Sequence, residues 1–261
     1  MRLRNRTVVV TGASNGLGKA IATACTEEGA RVVCASRSAE KLDALAADLT
    51  ERTDEGNAVA VPTDVRSWDD VRSLVAETTD RFGGIDVFVN NAGITQLNVA
   101  GEPSYRPVSD VPVDAWDAIL ETNLRGPFLC SKAALPGMKA RGSGRLIHVS
   151  SGHGLRARAN RSPYVASKFG LEGLHETLTR ELEETEIDSI ALRPPNGGVY
   201  TERKGENETT KETYRHESPT VISETAVRLA ADEGEHGGRY VANADGDSYS
   251  TYTTGDDPRT E

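Results

Sequence analysis

Cysteine is scarce in this chain of 261 residues. Cys25, Cys34 and Cys130 are an odd number without metal-ligand spacing, which argues against a disulfide framework and against a metal site. Long apolar runs are missing as well. Nothing approaches the roughly 20 consecutive apolar residues needed to cross a bilayer. Positive charge is in deficit, with 30 Lys and Arg against 40 Asp and Glu, and the formal charge of −10 repels nucleic acid and anionic membranes. The basic start Met1-Arg2-Leu3-Arg4-Asn5-Arg6 has no apolar signal region behind it, so the expected location is cytoplasmic. Neither an internal repeat nor a dividing linker is visible. The expectation is one domain over 1–244 and a polar, flexible tail over 245–261.

What is present is an alternation of short β-branched runs with longer segments of helical spacing, the pattern of repeated βα units. Strands are expected at 7–11, 31–35, 58–62, 85–90, 145–150, 189–193 and 239–242, and helices at about 16–28, 40–52, 68–82, 114–141, 163–184 and 219–232. Near-continuous apolar strands imply burial on both faces. The expected fold is therefore α/β: a doubly wound, seven-stranded parallel sheet with helices on both faces, whose ligand crevice lies beyond the carboxyl ends of the strands. The stretches 96–111 and 201–217 read as irregular, the second polar enough to serve as a lid.

Directly after the first strand comes Thr11-Gly12-Ala13-Ser14-Asn15-Gly16-Leu17-Gly18, opening into a helix. A helix N-terminus offers unpaired N–H groups and the positive end of its dipole, and glycines let a pyrophosphate approach closely. The end of the second strand decides between dinucleotides, because an acidic residue there would repel a ribose 2′-phosphate. Here Ser36 removes the repulsion and Arg37 can pair with phosphate, so NADP(H) is expected ahead of NAD(H).

A second group of residues carries the chemistry. Ser162 and Pro163 suit a helix start, which puts Tyr164 and Lys168 one turn apart on one face. A phenol with a pKa of about 10 is a poor base at neutral pH, and lowering it by about three units takes roughly 4 kcal/mol of preferential phenolate stabilisation. A neighbouring ammonium is expected to supply much of that, helped by the positive charge of an oxidised nicotinamide ring. Ser151, thirteen residues before Tyr164, ends the fifth strand and can hold a substrate oxygen. Tyr200 and Lys204 repeat the same spacing, but Ile187 stands thirteen residues before Tyr200, so the second pair is read as coincidence.

The glycine turn and the Tyr164-Val165-Ala166-Ser167-Lys168 segment resemble the ordinary single-domain branch of the short-chain dehydrogenase/reductase family, with its TGxxxGxG and YxxxK motifs. The resemblance runs from Thr7 to about Thr201. It implies catalytic roles for Asn123, Ser151, Tyr164 and Lys168, with Lys168 also binding the nicotinamide ribose and Asn123 joining a proton relay through water. Cofactor contacts are implied for Gly12, Ser14, Asn15, Gly16, Leu17, Gly18, Ser36 and Arg37. They are also implied for Asp64 and Val65 after the third strand, for Asn90, Asn91, Ala92 and Gly93 after the fourth, and for Pro194, Val199 and Thr201 after the sixth. Pro195 replaces the usual glycine of that last loop and restricts its path.

The implied activity is hydride transfer between NADP(H) and a small carbonyl or secondary alcohol, in a homodimer or homotetramer built through the helices around 114–141 and 163–184. Two rivals share the cradle: an isomerase or dehydratase that keeps its cofactor through turnover, and a non-catalytic dinucleotide-binding regulator. The loop Gly152-His153-Gly154-Leu155-Arg156-Ala157-Arg158-Ala159-Asn160-Arg161 is more basic than the small apolar loop common in that family. Arg156 or Arg158 is either a contact for an anionic or strongly polar carbonyl substrate, or a solvated or subunit-facing residue.

Overall fold

The computed structural model describes residues 1–53, 57–100, 105–195, 218–231, 237–243, 245 and 248–253. Its strands are β1 (Thr7–Thr11), β2 (Arg31–Ser36), β3 (Asn57–Pro62), β4 (Val87–Asn90), β5 (Gly144–Val149), β6 (Ile187–Arg193), β7 (Arg239–Ala242) and β8 (Tyr249–Thr251). They form one sheet in the order β3-β2-β1-β4-β5-β6-β7-β8. The first seven run parallel, as expected, and β8 pairs antiparallel with β7. The sheet thus has eight strands rather than seven, and it continues past residue 244. Polar Tyr249-Ser250-Thr251 carries no apolar run to announce a strand. It is held by the ladder to β7, by an edge-to-face contact of Tyr249 with Tyr240 at 5.2 Å, and by the buried ring of Tyr252.

Helices α1 (Gly16–Glu27), α2 (Ala39–Glu51), α3 (Trp68–Phe82), α4 (Gln96–Ala100), α5 (Val113–Leu120), α6 (Gly126–Arg141), α7 (Ser162–Glu181) and α8 (Ser223–Ala230) cover the two faces. Alternate residues of each strand point to opposite sides. Val8, Val10, Ile147 and Ile190 meet Ile21 of α1, Leu42 of α2 and Ala226 of α8, while Val9, Phe88 and Leu146 meet Leu74 of α3, Met138 of α6 and Leu178 of α7. Burial on both faces explains why these strands lack polar alternation.

The helix expected over 114–141 is interrupted. A π-helical turn at Glu121–Arg125 separates α5 from α6. Such single-turn bulges sit inside otherwise continuous helices, and no residue type at 121–125 announces this one. The order reverses at β1, whose neighbours are β2 and β4, and the crevice of a doubly wound sheet opens at that point.

Candidate active site

At the carboxyl end of β1, Gly12 and Gly16 adopt φ of 68° and 55°, a left-handed conformation that glycine tolerates without steric cost. Gly18 has a different constraint. A Cβ there would lie 2.4 Å from both the Asn91 side-chain nitrogen and the Gly12 carbonyl oxygen. Asn91 donates from Nδ2 to the Thr11 carbonyl at 2.8 Å, and Thr11 Oγ1 accepts from the main-chain N–H groups of Asn91 and Ala92 at 3.0 and 3.1 Å. The turn after β1 and the segment after β4 are therefore one packed unit. Asn90 is turned inward, its Nδ2 lying 3.3 Å from His148 Nδ1.

The N-terminus of α1 opens beside this unit without a competing anion. Asn15 makes no side-chain cap and the first turn holds no acidic residue. The N–H groups around Gly16, Leu17 and Gly18 thus fit a phosphate-bearing cofactor, and Ser14 borders the same turn. At the end of β2 the Ser36 hydroxyl accepts from Ser38 N–H at 3.3 Å, and Arg37 is exposed. Asp64 is not free: both carboxylate oxygens accept from Arg66, the shortest contact being 2.6 Å. Arg66 and the charge of Arg37 hold its carboxyl below the usual range. Val65 packs under the start of α6, where a Cβ on Gly126 would lie 2.9 Å from it.

Asn123 sits in the π turn with 1% of its surface exposed, too little to leave its amide dependent on solvent. Its Oδ1 accepts Ile94 N–H at 2.8 Å, and its Nδ2 donates to the Ile94 carbonyl at 2.9 Å and to Ser167 Oγ at 3.1 Å. Ser167 Oγ donates in turn to the Tyr164 carbonyl at 2.8 Å. Asn123 thereby ties the segment following Gly93 to α7.

Ser151, Tyr164 and Lys168 converge beyond β5. Ser151 caps the short turn Gly152–Gly154, its Oγ accepting His153 N–H at 3.2 Å. Ser162 is the first residue of α7 rather than its cap, and Pro163 stands in the first turn as expected. Lys168 Nζ donates to the Val149 carbonyl at 2.9 Å and lies 5.8 Å from the Tyr164 ring centroid. Burial pushes the Lys168 ammonium down to about 8, opposed by Glu172. Burial also raises the Tyr164 phenol above its ordinary value, against the lowering effects of a hydrogen bond with Ser151 and the charge of Arg161. The protein's own groups thus leave this phenol protonated at neutral pH.

Several residues around the site lie outside the glycine-turn and Tyr164–Lys168 motifs. His153 meets Tyr164 edge-on at 5.7 Å, and its Nε2 is 3.4 Å from Arg161 Nη1. Arg161 stacks on Tyr105 at 4.0 Å. Gln96 is buried, donates to the Asn160 carbonyl at 3.1 Å and leaves its Oε1 without a partner. Arg156 and Arg158 are exposed. Behind Lys168, Glu172 is buried against Ser150, Arg239 and Tyr252. A glutamate four residues after a lysine ordinarily reads as a solvated helical pair, which is why sequence reasoning passes over it. Pro194 is half-buried after β6. Val199, Thr201, the Tyr200 and Lys204 pair and the stretch 201–217 lie outside the described residues.

Among the described residues, no helix is long and apolar enough to cross a membrane. The family model for short chain dehydrogenases matches residues 6–212. An uncharacterized oxidoreductase of Staphylococcus aureus (strain USA300) is 34% identical over 192 residues, 74% of this chain and 78% of that protein. D-beta-hydroxybutyrate dehydrogenase of Rhizobium meliloti (strain 1021) is 33% identical over 189 residues, covering 72% of this chain and 70% of its own. Among solved structures, a short-chain type dehydrogenase/reductase from Mycobacterium marinum superimposes with a TM-score of 0.81 at 28% identity, covering 93% of this chain and 95% of that one. A metagenomic short-chain oxidoreductase in complex with NADP gives a TM-score of 0.75 at 29% identity, over 89% of this chain and 93% of its own. The chain is an oxidoreductase-type member of the short-chain dehydrogenase/reductase family.

Proposed function

We propose that this protein is an NADP(H)-dependent oxidoreductase acting on a carbonyl or secondary alcohol. The observation that carries the reading is the convergence of Ser151, Tyr164 and Lys168 at the carboxyl end of β5, facing the glycine turn of β1 across the switch point of the sheet. Bound nicotinamide supplies or accepts the hydride. In the reducing direction Ser151 Oγ holds the substrate oxygen, and the Tyr164 phenol, protonated at neutral pH, delivers its proton as negative charge develops there. The buried ammonium of Lys168 is charged at neutral pH and stabilises the phenolate left behind. Ser36, Arg37 and the adjacent guanidinium of Arg66 favour the 2′-phosphorylated cofactor, in keeping with the NADP held by the metagenomic neighbour.

The substrate reading extends to an anionic or strongly polar carbonyl compound. Arg161, fixed between Tyr105 and His153 next to Tyr164, supports it, and so does the name of the Rhizobium relative, which denotes action on a hydroxy acid. Phe128 of α6 and Phe169 of α7 are large apolar side chains left exposed, consistent with a homodimer or homotetramer assembled through these helices.

A panel of neutral and carboxylate-bearing carbonyl compounds, assayed with NADPH and NADH by the loss of reduced-nicotinamide absorbance, tests the reading. Turnover with a preference for NADPH is expected. Tyr164→Phe should lower it by about 10²–10⁴-fold. Parental turnover in that variant would end the assignment, and turnover without net change in absorbance would favour the isomerase or dehydratase.

A further inference from the structure

The side of Lys168 facing away from the crevice is not a hydrophobic core. Glu172, one turn further along α7, is 4% exposed, although a carboxylate in such a place loses its hydration and must be paired. Its Oε1 accepts from the Ser150 hydroxyl and from Tyr252 Oη, the latter at 2.9 Å, and its Oε2 accepts from Arg239 Nε at 3.1 Å. Ser150 is the residue before Ser151. The turn that Ser151 caps is pressed onto the same group, since a Cβ on Gly154 would stand 3.0 Å from Glu172 Cγ and 3.0 Å from the Lys168 carbonyl. Arg239 of β7 and Tyr252, the residue after β8, both reach this carboxylate.

We propose that Glu172 is a positioning residue for proton transfer at Tyr164: through Ser150 it fixes the turn that presents Ser151, and its carboxylate is the buried counter-charge one helical turn from Lys168. The inference rests on the roles given above to Ser151, Tyr164 and Lys168. The charged and titratable groups on the other sides of the pair are largely cationic or neutral. Arg193 comes from β6, with its guanidinium 4.5 Å from the Tyr252 ring centroid and its Nε and Nη1 unpartnered. Arg239 comes from β7, and His148 from β5 and His175 from α7 are both held neutral by burial. Glu176 lies further out and shares Arg239 at 3.0 Å. Burial acts to strip the proton from Lys168, and the charge of Glu172 opposes it. Tyr252 donates its phenol proton to Glu172 and is held protonated by burial and by that carboxylate.

The test is to titrate Lys168 in the full-length protein by NMR with ¹⁵N-labelled lysine, and to follow kcat against pH with NADPH and the best carbonyl compound of the panel. In Glu172→Gln the Lys168 titration should move to lower pH by about one unit, and the alkaline limb of kcat should move with it. Glu172→Asp, which keeps the charge, should restore most of the shift. Ser150→Ala should lower kcat while leaving the Lys168 titration in place. A Lys168 titration unmoved in Glu172→Gln overturns the proposal. Should that variant fail to fold, Arg239→Gln carries the test: with the competing guanidinium gone, Lys168 should titrate at higher pH, and an unmoved value overturns it equally. The two readings fail separately. A Tyr164→Phe variant with parental turnover removes the catalytic assignment, whereas an inactive Tyr164→Phe with an unmoved Lys168 in Glu172→Gln removes only the role of Glu172.

Discussion

The side-chain amide of Asn91 donates to the main-chain oxygen of Thr11 at 2.8 Å, and the Cα of Gly18 is packed against that same amide. This bond, with those from the Asn91 and Ala92 main-chain N–H groups to Thr11 Oγ1, joins the loop after β4 to the loop after β1, and one missing side chain lets the first turn of α1 close onto both. The anion-binding end of α1 owes its position to this contact as much as to the glycines themselves.

Gly18→Ala should accordingly damage cofactor binding before it damages the fold. The added Cβ meets a backbone carbonyl and the Asn91 amide at 2.4 Å, neither of which can yield without moving the turn. An NADPH Kd raised by about tenfold or more is expected, together with a loss of about 1–3 kcal/mol of stability from overpacking. Fluorescence titration and urea denaturation read the two effects. An unchanged Kd would mean that the turn does not hold the cofactor.

Asn123→Ala should cost stability and rate together. The truncation removes the Asn123 partner of Ile94 N–H, of the Ile94 carbonyl and of Ser167 Oγ, in a buried to half-buried region. A loss of about 2–4 kcal/mol is expected from buried groups left unsatisfied. Because Ser167 bonds the Tyr164 carbonyl, kcat should fall as α7 loosens. Asn123→Asp should fare no better, since its second oxygen would face the Ile94 carbonyl. Parental stability in both variants would refute the bridging role.

The strand runs and the glycine turn are legible in the sequence because each reports a local requirement: β-branched residues buried on both faces, and positive φ at Gly12 and Gly16. Tyr164 and Lys168 are legible by helical spacing. What escapes is what depends on remote partners. Strand β8 exists through its pairing with β7, and Tyr252 is buried by contacts far away in the chain. The carboxylate of Asp64 is free in the sequence but taken by Arg66 in the fold, because only the turn between them brings guanidinium and carboxylate into register. Glu172 offers the same lesson in reverse, since its spacing from Lys168 describes an exposed pair while its burial depends on β7 and β8.

His148 and His175 should make stability fall on mild acidification. Burial pushes them from an ordinary 6.5 down to about 4 and about 3, respectively. Between those values and 6.5 the unfolded chain binds protons that the folded chain refuses. Their contribution is therefore complete above 6.5 and declines as pH falls, by about 1.4 kcal/mol per unit for each histidine. Carboxylates act lower: Glu224, pushed down to about 2 by its hydrogen bonds to Arg2, loses its contribution only below 4.5. The drop in Tm between pH 6.5 and 5 thus isolates the histidines. His148→Asn should make it shallower without abolishing it, since His175 and the similarly depressed His153 remain, and a Tm already flat in the parent would show that these rings accept protons inside the fold.

Arg161, rather than Arg156 or Arg158, should discriminate between charged and neutral substrates. Its guanidinium is held by Tyr105 on one side and by His153 on the other, and His153 touches the Tyr164 ring. Burial together with the charges of Arg161, Arg158 and Arg156 pushes His153 down to about 4, so its ring is neutral at working pH and available as a donor or acceptor. Arg161→Ala should raise KM for carboxylate-bearing carbonyl compounds by about tenfold to a hundredfold, the range expected when a charged group loses its partner, and leave KM for neutral ones near its parental value. The exposed Arg156 and Arg158 should change both by less than threefold or so, as solvated charges do. Removing Arg161 should also let His153 titrate at higher pH, which NMR can follow without any substrate. Equal changes in KM for the two substrate classes, with His153 shifted as expected, would confine Arg161 to shaping the loop.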